Sequence, residues 1–150
     1  MAMQRQLIPD EDHVVRYVPI SRQARNPDGN LIGNGLVWSA LQQRKDEKTV
    51  SVNWLEYHKG SRSNRLKLIK DELAKSFPPK SLSKALLAIG NVGVIKQACA
   101  EADNPVRVAH EPSNNSPSHA GIRRLPTDHD DLLDALAAEV FVDTLLMTNI

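Results

Sequence analysis

His110, Glu111, His119, Arg123 and Arg124 fall within one stretch, VRVAHEPSNNSPSHAGIRRLP, residues 106–126. Imidazoles and carboxylates exchange protons near neutral pH, and guanidiniums clamp phosphate or carboxylate through paired N–H···O bonds. His110, Glu111 and His119 as acid–base groups, with Arg123 and Arg124 as ligand-binding cations, would suit a nucleotide or phosphorylated substrate. The apolar run Val106-Arg107-Val108-Ala109 reads as a strand that delivers His110 and Glu111 to its end. Successive strand residues point to opposite faces, so these two are expected to face apart. His119 with the arginine pair then carries more of the expected site. The Pro-, Ser- and Asn-rich segment between the histidines reads as a loop, and loops held on a scaffold concentrate binding groups.

Other chemistries are less well provided for. His110 and His119 lie too far apart in sequence for HExxH, and neither a metal nor a cofactor is expected. Ser116 and Ser118 stand near the histidines, but no G-x-S-x-G elbow surrounds them, and serines in such loops usually bond to backbone. Cys99 falls on the apolar face of a helix and reads as a small core residue. The segment Gly90-Asn91-Val92-Gly93 reads as a strand-to-helix turn, where Asn91 and Gly93 could present amides to an anion. It completes neither a dinucleotide fingerprint nor a P-loop. Arg16 (or His13) on an early strand, Ser51 (or Tyr57), and the late Glu111 form a set of single residues. In type and order the set resembles the sites of ADP-ribosyltransferase-type enzymes, and the resemblance implies a transfer reaction on a nucleotide.

The elements that must hold these groups can be read from periodicity. HVVRYVPI, residues 13–20, reads as a first strand that Pro19 ends or places at an edge. Asn26-Pro27-Asp28-Gly29 has the residues of a type I turn. TVSVNWLE, residues 49–56, alternates, with Val50, Val52 and Trp54 on one side and Thr49, Ser51 and Asn53 on the other. With LVWSALQQ, residues 36–43, it predicts a hairpin over about 36–56 in which Trp38 faces Trp54. Leu66, Ile69, Leu73 and Phe77 recur at helical spacing over 61–77, with a Ser61 or Ser63 cap and Pro78-Pro79 as the stop. Residues 85–89 suit strand or helix. A helix over about 92–103 and the strand at 106 complete a βαβ-like unit over about 85–110. That unit would bring Gly90–Gly93 and His110–His119 to one rim of a parallel pair. Thr127 to Asp130 is a capping pattern, and Leu133, Leu136, Ala137, Val140, Thr144 and Met147 predict a packed helix over about 128–147. The expected fold is α+β, or α/β if the parallel unit dominates, in a single domain over 1–150.

The chain carries 150 residues, 4% of them aromatic, so its core must rest on aliphatic side chains. A single cysteine excludes an internal disulfide and a multi-thiolate metal site. No apolar run approaches the length of a membrane span, and the first residues lack an apolar leader, so a cytoplasmic protein is expected. The net charge of +1 hides an asymmetry. Lys59, Arg62, Arg65, Lys67, Lys70, Lys75, Lys80 and Lys84 are opposed locally only by Asp71 and Glu72. The segment from Thr127 onward is acidic, without Lys or Arg. The basic helix at 61–77 could meet nucleic acid, but no aromatic interleaves for stacking, and a solvated face or a pairing with the acidic segment is preferred. Two functions follow. The preferred one is a small binding or accessory module that engages a protein partner or an anionic ligand through residues 110–124 and the charged helices. The alternative is a compact transferase or hydrolase acting on a nucleotide or phosphorylated substrate.

Overall fold

Strand β1, His13–Val18, lies in the middle of a six-stranded sheet and is buried on both faces. The computed structural model describes residues 5–150. The other strands are β2 (Gln23–Arg25), β3 (Leu31–Leu36), β4 (Val50–Trp54), β5 (Leu86–Asn91), β6 (Arg107–His110), β7 (His119–Arg123) and β8 (Asp143–Leu146). The main sheet runs β6-β7-β4-β1-β5-β8 with every neighbouring pair antiparallel, and β2 pairs with β3 apart from it. Helix α1 is Arg62–Ala74, α2 the single turn Pro79–Leu82, α3 Val92–Glu101, and α4 Asp131–Ala135. The fold is α+β.

The strand period sorts the core into two layers. Val14 and Val18 of β1, Val50 and Val52 of β4, Ala120 and Ile122 of β7 meet Ile95 and Cys99 of α3 and Leu132 and Leu133 of α4. On the opposite face Val15 and Tyr17 of β1 and Leu87 and Ile89 of β5 meet Leu66, Ile69 and Leu73 of α1. Helix α1 therefore covers β1 and β5, and among the described residues no helix covers the same face of β4, β7 and β6. Ser61 caps α1 by accepting from Asn64 N, as its sequence suggested, and Asn26 O accepts from Gly29 N in the expected turn.

Three sequence expectations are corrected. The 36–56 hairpin does not form: Trp38–Leu41 is a 3-10 turn, and β4 pairs with β1 and β7. Trp38 packs against His129, and Trp54 packs against His110 and Tyr57 while its Nε1 donates to Asp12. The cause is Arg16. The β1–β4 ladder stops at Val15↔Asn53, and the guanidinium of the fully buried Arg16 enters the gap. It donates to Ala40 O, Ser51 O and Gln42 O at 2.8–3.0 Å and to Glu47 at 2.9 and 3.4 Å. Residues 40–47 thus wrap a buried cation instead of extending as a strand.

The βαβ-like unit is half right. Strands β5 and β6 point the same way, but β7, β4 and β1 stand between them. At about 4.8 Å per strand their ends lie about 19 Å apart along the sheet edge, so Gly90–Gly93 and His110–His119 do not lie side by side. The C-terminal helix is also shorter than its stripe implied. It passes from α4 into a π turn, Leu136–Val140, and ends at Phe141, beyond which Asp143–Leu146 becomes an edge strand on β5. Phe141 is fully buried, and Gly90 leaves room for its ring, which a Cβ there would meet at 2.9 Å. Asn34 Nδ2 donates to Ala137 O and Phe141 O at the turn's end, so the carbonyls freed by stopping the helix stay satisfied. The basic and acidic segments do touch: Arg62 pairs with Asp143 at 2.7 Å, and Lys70 donates to Met147 O and Ile150 O.

Candidate functional site

The helix-free half of the sheet is polar because alternate residues of β4, β7 and β6 face away from the main core. Ser51 lies opposite Gly121, and Gly121 opposite Ala109, giving a row of small residues across three strands. Asn53 and His119 form the row on one side, and Arg123 and Arg107 the row on the other. This floor, the end of α1 with Phe77, the segment 44–48 and the hairpin loop 111–116 enclose a cleft of about 820 Å³. Tyr17, Arg44, Glu47, Thr49, Glu72, His110 and Glu111 also line it.

Glu111 reaches back over the floor. Its Oε2 accepts from Arg5 Nη1 at 2.8 Å and from Arg123 Nε and Nη2 at 3.0 and 2.7 Å. Among the described residues its Oε1 has only Thr49 Oγ1, at 3.5 Å. The carboxylate occupies the space where a side chain at residue 121 would sit: a Cβ there would lie 2.7 Å from Oε1. A side chain at residue 121 would therefore force Thr49 Oγ1 and the Glu111 carboxylate to shift.

His119 Nδ1 donates to Glu111 O at 2.8 Å. A carbonyl only accepts, so the neutral ring carries its proton on Nδ1 and keeps a lone pair on Nε2. Among the described residues Nε2 has no protein partner. His110 is fixed the other way round, with Nε2 donating to Pro117 O at 2.7 Å and its ring against Trp54 and Tyr57.

Glu72, on α1, ties the helix to the hairpin loop. It accepts from His58 Nε2 at 2.5 Å, Ser116 Oγ at 2.9 Å, Ser118 N at 3.0 Å and Ser118 Oγ at 2.8 Å. Asn53 Nδ2 donates to both serine hydroxyls from the sheet side. Burial pushes the Glu72 carboxyl upward, but these hydrogen bonds outweigh it and hold the group below the usual carboxylate range. Glu47 behaves alike: burial opposes ionisation, yet Arg16 and the amides of Arg44 and Ser51 lower its pKa to about 2. Burial in turn lowers Arg16 to about 10.

Arg44 differs from Glu47, Glu72 and Glu111 and shares with Asp46 and Lys48, which also line the cleft, the lack of an ion-pair partner among the described residues. Its Nη2 donates to Tyr17 O at 2.9 Å, and its guanidinium lies 5.6 Å from the centroid of the Tyr17 ring, which stacks on Phe77 at 4.1 Å. Among the described residues its buried Nε has no partner and no carboxylate pairs with its guanidinium. Glu47, Glu72 and Glu111 by contrast are each engaged by a cation or several donors inside the protein.

The sequence-expected residues fare unequally. His110, Glu111 and His119 line one cleft, with His110 and Glu111 held by different partners on either side of the strand. Arg123 is held by Glu111, and Arg124 is exposed, outside the cleft lining, in a left-handed conformation with φ 76°. The two do not form a clamp. Asn91 and Gly93 are corrected as anion donors, because that helix start is already used. Asn91 Oδ1 accepts from Val94 N, Asp10 O from Gly93 N and Asp12 O from Val92 N, all at 2.9 Å. Ser116 and Ser118 are bound to Glu72, and Cys99 is buried, which pushes its thiol up to about 11. Of the ADP-ribosyltransferase-like set, Arg16 spends all its donors internally and His13 pairs with Glu56 at 2.7 Å, whereas Ser51 and Glu111 do reach the cleft.

Arg44, Glu72, Asn53, Thr49 and Tyr17 are the contributors that sequence reasoning did not place in a site. The polar face of TVSVNW was the available signal, since Thr49 and Asn53 prove buried. Among the described residues no three of His, Cys, Asp or Glu are grouped to hold a metal ion, and no helix is long and apolar enough to cross a membrane. No protein family, curated protein or solved structure matches this chain.

Proposed function

We propose that the protein is a small-molecule-binding module that takes an anionic ligand in the cleft over β4 and β7, with Arg44 as its principal cation. The observation that carries this reading is the sorting of charge around a cavity of about 820 Å³, within the usual range for ligand sites. Glu47, Glu72 and Glu111 are satisfied from within, while among the described residues Arg44 has no ion-pair partner; on the same segment Lys48 adds a second cation and Asp46 an acid without one. Binding an anion there costs no internal ion pair, and it supplies a guanidinium with the partner it lacks.

The test is thermal shift at low ionic strength with inorganic phosphate, citrate and nucleotides. The expected result is a saturable rise in Tm with at least one of them. Arg44→Gln should abolish that rise while leaving the unliganded Tm within a few degrees. An absence of any shift, or an equal shift in Arg44→Gln, overturns the proposal.

A second reading, a hydrolase or transferase of phosphorylated compounds, is favoured by one observation. His119, pinned through Nδ1, leaves Nε2 as a base at the cleft. Turnover of a phosphoester or phosphoanhydride that disappears in His119→Asn would support it. Binding without turnover would leave the module reading alone.

A further inference from the structure

Among the described residues, the polar groups of the sheet floor that remain unused lie at the hairpin end, and those of segment 44–48 (Arg44, Asp46 and Lys48) at the other. The hairpin end offers acceptors: Glu111 Oε1, which has only the 3.5 Å contact to Thr49, and the lone pair on His119 Nε2. The other end offers a donor, the guanidinium of Arg44, anchored over Tyr17 on β1. Tyr17 belongs to β1 and Gly121, beneath the Glu111 carboxylate, to β7, two strands away. Strand spacing alone sets these ends about 10 Å apart.

A ligand satisfied by Arg44 only would leave the two acceptors facing whatever part of it fills the hairpin end. An apolar or anionic moiety there would be opposed, since a desolvated carboxylate oxygen left without a donor is costly. We infer that the ligand is two-ended and of nucleotide size, with a phosphate or carboxylate at Arg44 and N–H or O–H donors on Glu111 Oε1 and His119 Nε2. This rests on the anion-binding reading and narrows it to one substrate class. The glycine at residue 121 supports it independently. Its missing side chain lets Glu111 lie across the floor, with one oxygen tied down by Arg5 and Arg123 and the other left at the cleft.

The experiment titrates the protein with AMP, which carries both ends, and with its halves, adenosine and inorganic phosphate, by calorimetry. AMP should bind at least tenfold more tightly than either half. His119→Asn keeps a donor where Nδ1 stood and removes the Nε2 acceptor. It should weaken AMP about tenfold, the size of one lost hydrogen bond to a desolvated group, and leave phosphate binding unchanged. An unchanged urea midpoint for His119→Asn separates this loss from misfolding, and Glu111→Gln serves as the second variant if that midpoint falls. If phosphate binds as tightly as AMP and Arg44→Gln removes both, the anion site stands and the two-ended ligand is overturned. It is overturned equally if AMP binds His119→Asn as it binds the native protein, or if that variant weakens AMP and phosphate alike. If none of the three binds, both readings fall.

Discussion

Glu47→Gln tests whether the buried ion pair beneath the cleft is what organises the β1–β4 junction. The change keeps the side-chain shape but leaves the Arg16 guanidinium, 0% exposed, with neutral acceptors only. Removing one partner of a buried pair costs about 3–5 kcal/mol. Linkage gives a comparable figure: a carboxyl lowered from 4.5 to about 2 is worth about 3 kcal/mol at neutral pH. Because the folded-state pKa is depressed, this stability is present above pH 4.5 and is lost as pH falls toward 2. At pH 3 less than half of it remains by the same relation. Urea denaturation of the native protein and Glu47→Gln at pH 7, 5, 4 and 3 measures the gap, and the other carboxyls cancel between the two proteins. The gap should be about 3 kcal/mol at pH 7 and 5 and less than half that at pH 3. A gap that stays constant from pH 7 to 3, or that is absent at pH 7, would refute the claim that the Glu47 charge holds Arg16.

Two further perturbations address the cleft. Gly121→Ala would place a Cβ on Thr49 Oγ1 and against Glu111 Oε1, displacing the carboxylate from its arginines. It should cost about 1–3 kcal/mol in chemical denaturation and abolish ligand-induced thermal shifts, and Thr49→Ala in the same protein should restore part of the stability. Glu72→Ala strands the buried Ser118 amide and hydroxyl together with Ser116 and His58, at about 3 kcal/mol or more. Hydrogen exchange should show residues 113–118 losing protection. Since the Glu72 pKa is lowered in the folded protein, the native advantage over Glu72→Ala should shrink as pH falls below the ordinary carboxylate range.

The parts of the fold that the sequence revealed are those governed by local rules. The turn at Asn26–Gly29, the Ser61 cap, the helix ending near the Pro78-Pro79 pair and the alternation of TVSVNW depend on neighbours within a few residues, and each appears where its pattern lies. What failed depended on distant partners. LVWSALQQ became a 3-10 turn because Arg16, on another strand, takes the carbonyls of Ala40 and Gln42. Residues 143–147 carry apolar positions that suit a helix stripe and a strand alike. The choice was made by Asn34 receiving the end of the π turn and by the free edge of β5. Val140, Val142 and Thr144, β-branched at every second position, were the local hint of the strand.

The site was legible in its residues but not in its neighbours, and the reason is topological. His110, Glu111 and His119 come together because β6 and β7 form a hairpin whose loop they bracket, a short-range event. Arg44, Tyr17 and Glu72 join them only because β4 lies between β1 and β7 and α1 stops short of covering it. That arrangement also explains why the arginine pair failed as a clamp. On a strand whose outer face is not roofed by a helix, Arg123 shares its face with the carboxylate drawn in over Gly121, and neutralising that carboxylate outweighs remaining free. A cation left to meet a ligand is then one whose neighbouring glutamate is already engaged. Arg44 fits that description because the nearby Glu47 is already committed to Arg16. A buried structural ion pair in the core thus leaves an unpaired charge at the cleft.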